Sequence, residues 1–562
     1  MLRTACGKVE QGRFSLIRYL SDCEAASLQD YPVCVVGSGP GGLSLAVALA
    51  RQGQRVLLVD GGDWRDDQID DDAYQGAASA PHPGTTEYRR QRFGGTTHLW
   101  GGRCVPLDPA DFAARSHVPL SGWPISYEEY ARYLPEAMQY CDAGNADFTP
   151  ASLAGGNAPM FSELPQLSQA LTEYIERYSL PTDFAAKFSE ELKASGLVNV
   201  VLRARCTRLL ANTDGSRIDA VVLHDGQQEV QVRASQIVLA GGAIEATRLL
   251  LCTREQVPAW QRFDGSLGRY YACHFDLIFG EMRLKGEKPR FRFQKTQDGV
   301  YARRKLQFTP QWQNQLGLLN STLRLHFPSY ADPGHGSGVL SAIYLAKSIL
   351  PSEHQDILNH GNQNAVAHPR RLAHVRNVML DAGSVFGFAY DMVFKRKLAK
   401  RKLPYTLIPN RNGTYPLEFN SEQVSDAANR ISLLDTTDRY GMRRVDVQWR
   451  LTSQDIDSGV QSFMSMQSLL AGTRHCRLDF DPGELKEQVT RALPVGGHHI
   501  GSTRMGRFVE DSVVDTDCRV HGVSNLLVLS SSVFPTNGHA NPTLSIVALA
   551  LRMADHLQTV LR

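Results

Sequence analysis

Near the start of the chain, the spacing of apolar residues changes from that of a buried strand to that of a helix. Residues 33–36 (VCVV) are a short apolar run, typical of a buried parallel strand. Residues 43–51 follow the 3.6-residue period of a helix. A second β-rich run, residues 55–59, ends at Asp60. The pattern predicts a strand, a turn, a helix and a second strand ending in an acid, in the order that a dinucleotide site needs.

Glycines fill the turn between this strand and this helix. Gly37 permits the tight turn, Gly39 lets the backbone approach a pyrophosphate, and Gly42 lets the helix pack close to the sheet. The helix N-terminus offers free N–H groups to phosphates, and Asp60 can accept hydrogen bonds from ribose hydroxyls. The motif predicts a bound dinucleotide without separating FAD from NAD, and the alternative is a βαβ unit without a ligand.

Two further segments extend the same fold. Residues 199–210 and 218–224 predict paired strands, and residues 236–251 predict a strand, a Gly-Gly turn and a helix. Ala240 and Gly241 in that turn can bring backbone toward a cofactor.

The pattern of strand-like and helical segments changes in the middle of the chain and returns near its carboxyl end. Residues 286–484 mix strand-like and helical pieces, whereas glycine turns and strands return near the carboxyl end. The sequence therefore predicts an α/β (α+β) fold with a discontinuous Rossmann-like nucleotide domain and an inserted mixed-sheet substrate domain. The predicted division is residues 1–285 and 485–562 for the nucleotide domain, with residues 286–484 between them.

A loop at residues 92–102 combines four glycines with small hydroxyl residues and large aromatic ones. Gly94, Gly95 and Thr96 give it a shape that allows close backbone approach to a flat ligand. Trp100 is a large apolar group that such a loop would usually bury. We therefore expect this loop to contact the cofactor, with a plain surface loop as the alternative.

The C-terminal part concentrates histidines, glycines and a helix start. Residues 496–506 have the sequence GGHHIGSTRMG, and residues 526–529 are a short apolar run typical of a strand. A helix is predicted for residues 544–557, because Asn541 suits the N-cap and Pro542 the first helical position. Asn541 is thus expected beside free N–H groups and positive potential.

Composition narrows the class of protein. The 562 residues, 42% hydrophobic and 21% charged, suit a globular enzyme with about two or three domains. The net charge of +2 gives no reason to expect a nucleic-acid partner. Ten cysteines occur without a CxxC pair or zinc-finger spacing, so no metal site is predicted.

Targeting signals are not evident in the sequence. The first residues lack the apolar core of a signal peptide, and no run approaches the roughly 18 apolar residues of a spanning helix. We therefore expect a cytoplasmic protein with reduced thiols.

One basic segment, Lys395–Lys402 (KRKLAKRK), follows an apolar patch at residues 385–394. A solvated helix face is one interpretation. The other is a basic amphipathic segment at residues 385–402 that makes peripheral contact with a membrane surface or an anionic partner.

Taken together, the motifs resemble those of the glucose–methanol–choline (GMC) flavin oxidoreductases. The resemblance covers most of the chain and rests on the GSGPGG turn with Asp60, the Gly94-Gly95 loop, LAGGAIEATRLLL, LGRYYACHF, HHIGSTRMG and the HGVSNLLVL…NPT ending. It implies that the dinucleotide is FAD and that a discontinuous FAD domain carries an inserted substrate domain. An NAD(P)-dependent enzyme is the rival that the nucleotide motif alone leaves open.

The resemblance also implies two catalytic residues. The family's catalytic histidine lies three residues before the glycine of a G-[TS]-x-x-M-G turn, which is His498 here, and its partner at the start of the last helix is Asn541. An imidazole with an ordinary pKa of about 6.5 can take the alcohol proton near neutral pH. Asn541 can donate a hydrogen bond to the developing alkoxide. His499 is the alternative base, and His539 could line the same pocket.

The remaining cofactor contacts come from the resemblance as well. They are Cys206 on the adenine side, for which core packing is an equal alternative, together with Ser532, Pro542 and Thr543.

Three positions depart from the family pattern or match it incompletely. Ser530 stands where the family often has a cofactor-contacting Asp. Some sugar-oxidising members attach FAD covalently through a histidine just before the Trp of this loop. Leu99 stands at that position here, and His98, one residue earlier, is the alternative site of covalent attachment. Glu422-Gln423 could be the Glu-Gln pair that the family often carries near the flavin.

The sequence thus predicts an FAD-dependent alcohol dehydrogenase or oxidase acting on a CH–OH group of a sugar, aminosugar or polyol. His498 would take the proton, and flavin N5 would take the hydride. The alternatives are a non-carbohydrate secondary alcohol, a sterol-like substrate, or a flavin-binding protein without catalytic turnover. The sequence does not determine the electron acceptor.

Overall fold

The structure, a computed structural model, describes residues 17–65, 72–286, 289–346, 371–404, 408 and 412–562. Strands and helices are numbered in chain order. The strands are β1 (Ile17–Tyr19), β2 (Tyr31–Val36), β3 (Val56–Val59), β4 (Ala77–Ala78), β5 (Arg103–Cys104), β6 (Leu171–Tyr178), β7 (Val198–Leu202), β8 (Arg205–Ala211), β9 (Ile218–His224), β10 (Glu229–Val232), β11 (Ala234–Leu239), β12 (Phe275–Leu284), β13 (Gln294–Lys295), β14 (Tyr301–Phe308), β15 (Ser321–Leu325), β16 (Thr414–Ser421), β17 (Arg430–Thr437), β18 (Arg443–Gln448), β19 (Cys476–Asp479), β20 (Leu493–Pro494) and β21 (Leu526–Val528). The α-helices are α1 (Pro40–Arg51), α2 (Pro109–Phe112), α3 (Tyr127–Ala131), α4 (Leu134–Tyr140), α5 (Phe184–Ser195), α6 (Ala243–Gln256), α7 (Pro310–Leu316), α8 (Gly338–Ala346), α9 (Arg371–Leu380), α10 (Ala382–Tyr390), α11 (Ser453–Ala471), α12 (Pro482–Thr490) and α13 (Pro542–Val560), and a π-helical segment, Asp391–Lys397, continues α10.

A parallel sheet in the order β1-β7-β3-β2-β11-β21 forms the nucleotide domain. All four side chains of β3 are buried, as expected for a parallel strand covered on both faces. The predicted strand, glycine turn, helix and strand are confirmed as β2, α1 and β3. Because β21 near the carboxyl end joins β11, the nucleotide domain is discontinuous, as predicted.

Two helices pack closely on this sheet. A Cβ atom on Gly41 of α1 would lie 2.9 Å from Cγ2 of Ile546 in α13. Glycine therefore allows the two helices to approach closely. As a result, the start of α13, with Asn541 as its N-cap, lies beside the glycine turn after β2.

A second, mainly antiparallel sheet forms the substrate domain in the order β19-β12-β16-β15-β14-β6-β5, with β13 on β14 and β20 on β12. The strands of this sheet come from both sides of the predicted boundary at residue 285, since β5, β6 and β12 precede it. A single boundary does not describe this division, because the strands of a sheet are neighbours in space and the chain crosses between the two domains more than once.

The predicted strand over residues 199–210 is divided in the structure. Arg203 has a φ of 50°, in the left-handed region. The chain turns there, so β7 stays in the parallel sheet while β8 pairs with β9 in a small antiparallel sheet. None of the helices within the described residues is both long and apolar enough to cross a bilayer.

Candidate active site

One cavity of about 1380 Å³, open solvent at its mouth included, lies at the carboxyl end of the parallel strands. The glycine turn after β2, the loop before β5 and the start of α13 surround it. Its lining includes most of the predicted cofactor residues: Gly37, Gly39, Asp60, Gly95, Thr96, Cys206, Ala240, Gly241, Pro542 and Thr543.

The three glycines of the first turn have different surroundings. Gly37 has a φ of 107°, and a Cβ there would lie 2.5 Å from the nitrogen of Gly241. A Cβ on Gly42 would lie 1.9 Å from the oxygen of Gly37. Gly39 lines the cavity, and a Cβ on it would meet no described atom within 4 Å. Gly37 and Gly42 therefore allow the turn to form, whereas Gly39 keeps space for a ligand.

Asp60 ends β3 at the rim of the cavity. Its Oδ2 accepts hydrogen bonds from the amide and the hydroxyl of Ser38, at 2.7 and 2.6 Å, and its Oδ1 accepts one from Gly62 at 2.7 Å. Burial raises the pKa of Asp60, while these hydrogen bonds oppose the rise. Each carboxylate oxygen has two lone pairs, so Oδ1 keeps one for a ribose hydroxyl.

Four of the predicted cofactor residues, Gly42 among them, lie outside the cavity lining that the structure describes. Gly94 packs against α5, where a Cβ on it would lie 2.9 Å from Cβ of Ala185. Trp100 donates from Nε1 to the carbonyl oxygen of Thr182 at 2.9 Å. Ser532 shares a 2.6 Å hydrogen bond with Ser530, and it is Ser530 that lines the cavity. We infer that these residues support the walls of the cavity.

A cationic part of the cavity wall was missed at the sequence level. Arg89 and Arg205 both lie on the cavity and bind Glu245, with a 2.7 Å contact from Arg205. Burial favours a raised pKa for Glu245, but Arg205, Arg248 and Arg89 outweigh it and bring the pKa to about 2. Arg89 belongs to a polar stretch without a motif, so only tertiary contact reveals its place.

His499 also lies on the cavity, in a cluster around the hydroxyl of Tyr271. Nδ1 of His82 lies 2.8 Å from the carbonyl oxygen of Pro83, so it carries the proton, and Nε2 accepts from Tyr271 at 2.8 Å. The Tyr271 oxygen then accepts from Nδ1 of His499 at 2.6 Å. Nε2 of His499 is left as a buried acceptor without a partner among the described residues. A ligand N–H in the cavity would satisfy it.

Three potential metal ligands meet in this cluster. Donor atoms of His82, Cys273 and His499 lie within 4.8 Å of one another. The Tyr271 hydroxyl lies between them, 3.3 Å from Sγ of Cys273 and in contact with both imidazoles. We interpret the group as a hydrogen-bond cluster.

His498 and Asn541 are brought together from residues far apart in the chain. Nδ2 of Asn541 donates to Nε2 of His498 at 2.9 Å. His498 lies in the loop after β20, and Asn541 is the N-cap of α13, as predicted. The Asn541 side chain turns toward His498, so a hydrogen-bond donor lies directly beside an imidazole nitrogen.

His274, just before β12, determines which nitrogen of His498 is free. Nε2 of His274 lies 3.2 Å from the carbonyl oxygen of Asn537, which can only accept, so Nε2 carries the proton. Nδ1 of His274 is therefore an acceptor, and Nδ1 of His498, at 2.8 Å, donates to it. Nε2 of His498 is thus unprotonated and can act as a base. The motif LGRYYACHF contains His274, but its spacing gives no sign of this role.

Electrostatics keep both imidazoles neutral. Burial lowers the pKa of His274 to about 4. Burial, His274 and Arg103 together hold the pKa of His498 well below its ordinary value of 6.5. His498 is therefore a free base at neutral pH.

Charged groups of the substrate sheet act on His498, since Arg103 of β5 and Arg324 of β15 both lower its pKa. Arg324 of β15 binds Glu176 of β6 at 3.1 Å. Lys305 of β14 lies 3.0 Å from Nδ1 of His539, whose Nε2 lies 3.0 Å from Asp108. Burial lowers the pKa of Lys305 to about 7. The substrate sheet thus contains buried charged and polar groups that bond to one another.

The Glu422-Gln423 pair supports the structure around the site. Glu422 accepts two hydrogen bonds from Arg115, at 2.8 and 2.6 Å, and both side chains are buried. The side-chain oxygen of Gln423 accepts from the indole of Trp449 at 2.8 Å and from the amide of Cys273 at 3.1 Å. The pair thus holds β12 and the end of β18 in place near His274.

Comparison with known proteins agrees with this architecture. The family model of GMC oxidoreductases matches residues 425–550, and that of FAD-dependent oxidoreductases matches residues 32–305. The chain is similar to 2-methyl-1,2-propanediol dehydrogenase from Mycolicibacterium austroafricanum, with 22% identity over 93% of this chain and 94% of that protein. The fructose dehydrogenase large subunit from Gluconobacter japonicus is 24% identical over 93% of this chain and 97% of its own.

A solved structure has the same fold. Pyridoxine 4-oxidase from Mesorbium loti aligns with a TM-score of 0.50 and 15% identity, covering 94% of this chain and 99% of that one. The fold and site define an FAD-dependent oxidoreductase that acts on alcohol groups. The chain belongs to the glucose–methanol–choline (GMC) oxidoreductase family.

FAD is the cofactor of this class, and the residues of the cavity fit it. The open space at Gly39, the arginines on the wall and the unpaired acceptor of His499 suit a ligand with a pyrophosphate and a ring N–H group. An NAD(P)-dependent enzyme and a non-catalytic flavoprotein are no longer competing interpretations.

Proposed function

We propose that this enzyme oxidises a CH–OH group of a sugar, aminosugar or polyol, with His498 as the base and Asn541 as the hydroxyl-positioning donor. The observation that carries the proposal is the 2.9 Å contact between Nε2 of His498 and Nδ2 of Asn541, with the His498 proton held on Nδ1 by His274. A substrate hydroxyl that displaces this contact can accept from Nδ2 of Asn541 and donate to Nε2 of His498 in one pose.

The reaction balances through these groups. The hydroxyl proton passes to Nε2 of His498 as the carbinol carbon loses a hydride and becomes a carbonyl carbon. Bound FAD supplies the hydride acceptor. The resulting imidazolium keeps its Nδ1–H bond to His274, and the neutral His274 ring can accept this stronger, charge-assisted bond. The N–H of Asn541 stabilises the negative charge that develops on the substrate oxygen.

Polar groups near His498 favour a hydroxyl-rich substrate. Arg324, Glu176 and Lys305 are buried on the substrate sheet, where Arg324 binds Glu176 and Lys305 lies beside His539. A polyol carries hydroxyl groups that can bond to charged and polar side chains of this kind, whereas a sterol is almost entirely apolar. Two similar proteins are named as dehydrogenases of 2-methyl-1,2-propanediol and of fructose, and each of these compounds carries at least two hydroxyl groups.

An anaerobic substrate screen tests the proposal. The holoenzyme is mixed with sugars, aminosugars, polyols, simple secondary alcohols and sterols, and the loss of visible flavin absorbance is followed. We expect rapid reduction by one or more members of the first three classes. Reduction by simple alcohols or sterols alone would overturn the substrate class.

A variant tests the base separately. His498→Ala should retain FAD and slow flavin reduction by about 100-fold, the scale of a lost general base. The exposed His475→Ala is the matched control and should reduce at the wild-type rate. Unchanged reduction in His498→Ala would remove His498 from its proposed role.

A further inference from the structure

The segment from Arg371 to Lys402, which is helical as far as Lys397, has two apolar faces. Its inner face packs on a small core around Tyr330 and Leu340, to which Val385 and Phe388 contribute. Nδ1 of His374 lies 3.1 Å from the hydroxyl of Ser341 on the same side. These contacts tie the segment to the substrate domain.

The outer face is also apolar, although a helix at a protein surface usually presents polar residues there. Leu372 is 86% exposed, Phe386 78% and Met379 75%. Tyr390, Phe394 and Leu398 continue the face along α10, the π-helical segment and the residue that follows it. We call these six side chains the outer face. Contiguous exposed apolar surface of this kind is typical of a protein or membrane contact.

Basic residues border the outer face. Residues 371–402 contain eight lysines and arginines against two aspartates. One of these aspartates, Asp391, is paired with Lys395 at 2.7 Å. The side chains of Lys397, Lys400 and Lys402 are exposed. The surface therefore combines a strip of large apolar groups with an excess of positive charge.

The geometry points to docking of this surface on an anionic lipid bilayer. Phenylalanine, leucine and methionine side chains can enter the boundary between headgroups and acyl chains, while lysine stems reach outward to the headgroup charges. The excess of like charge opposes a second copy of this chain, because the same positive groups would meet across a two-fold axis. Contacts at the end of the segment hold it against the body: Arg401 donates to the carbonyl oxygens of Asp142 and Tyr178, at 3.0 and 3.2 Å.

Vesicle co-sedimentation of the full-length holoenzyme tests this surface. The probes are vesicles of phosphatidylcholine alone and of phosphatidylcholine mixed with phosphatidylglycerol. We expect binding to the mixed vesicles at low salt, release as salt is raised, and about 10-fold weaker binding to phosphatidylcholine alone. No binding to the mixed vesicles would overturn the proposal.

Two sets of variants separate the apolar and the charged contributions. Phe386→Ser/Phe394→Ser/Leu398→Ser should lose vesicle binding by about 10-fold or more. Phe508→Ser, at an exposed phenylalanine elsewhere, is its control. Lys397→Glu/Lys400→Glu/Lys402→Glu should lose binding to the anionic vesicles specifically. Arg477→Glu/Lys486→Glu/Arg491→Glu carries the same change of charge at other exposed positions and should bind like the wild type.

Two other results would assign the outer face to an occupant other than a lipid bilayer. Each variant is first shown to keep the wild-type melting temperature and flavin spectrum, so that lost binding is not lost folding. A wild-type dimer that the apolar variant converts to a monomer would assign the face to a second copy of the chain and overturn the proposal. Vesicle binding that appears only after deletion of residues 347–370 would show that this segment covers the face, which would also overturn it.

Discussion

The Nδ1 atoms of His274 and His498 lie 2.8 Å apart, and a single proton lies between them. Because the Asn537 carbonyl keeps the His274 proton on Nε2, the shared proton belongs to His498. A residue at the start of a substrate-domain strand therefore selects the nitrogen with which the proposed base acts.

Two substitutions at His274 test this contact with His498. Asparagine places Oδ1 near the position of Nδ1 and can still accept from His498, whereas phenylalanine cannot accept. We expect His274→Phe to slow flavin reduction by about 10- to 100-fold, because a wrongly protonated imidazole is a poor base. His274→Asn should stay within a few-fold of the wild type. The limiting rate of anaerobic flavin reduction measures both.

Both variants lose the contact with Asn537, so a general loss of packing would slow them equally. Equal rates would show that His274 is only a structural residue. Visible spectra and melting temperatures confirm that each variant is folded and holds FAD.

The pH dependence of reduction follows from the lowered pKa of His498. The base must be unprotonated to accept the substrate proton. Its pKa lies well below 6.5, so the rate should stay constant as pH falls through neutrality and decline only below pH 6.5. A profile of the limiting reduction rate against pH measures the midpoint. A midpoint at or above pH 6.5 would contradict the buried, neutral imidazole.

Asn541→Asp tests the donor role of Asn541 with a side chain that suits the same position before α13. Aspartate is as good an N-cap as asparagine, but it removes the N–H and places a negative charge beside Nε2 of His498. We expect flavin reduction to slow by about 10-fold or more and its acid limb to move to higher pH. Asn541→Ser, which keeps a hydroxyl donor, should be less affected. An unshifted acid limb in Asn541→Asp would show that the two side chains do not interact.

Two glycines of the first turn should respond differently to a single methyl group. Gly42→Ala places Cβ 1.9 Å from the oxygen of Gly37, so the turn cannot form and soluble holoenzyme should be lost. Gly39→Ala meets no described atom within 4 Å, so the apoprotein should melt like the wild type while FAD affinity falls. Gly383→Ala, on an exposed helix, is the control. Wild-type FAD affinity in Gly39→Ala would place the pyrophosphate elsewhere.

Much of the nucleotide domain could be predicted because its signals are local. The apolar run before Gly37, the period of α1 and the Asn541-Pro542 helix start each depend on neighbouring residues. The division after Leu202 could not be predicted, since it rests on the backbone angle of Arg203. The second sheet was only partly foreseen, because its pairing joins strands such as β6 and β14 from distant parts of the chain.

The candidate site also combines residues that the sequence indicates with residues that only the structure reveals. Motif spacing and the family resemblance indicate His498, Asn541 and the glycines of the first turn. His274, Arg89 and the free nitrogen of His499 have no local signature, since each takes its role from groups far away in the chain.

By itself, the sequence determined the dinucleotide unit and the discontinuous nucleotide domain, and its resemblance to the family indicated FAD and suggested His498 and Asn541 for the proposed proton transfer. Only the tertiary structure decided which nitrogen of His498 is free, which residues line the cavity and which helix face is left exposed. The physical reason is that turns, helix starts and burial periods are properties of consecutive residues. Tautomers, pKa shifts and exposed faces depend on groups that only folding brings together.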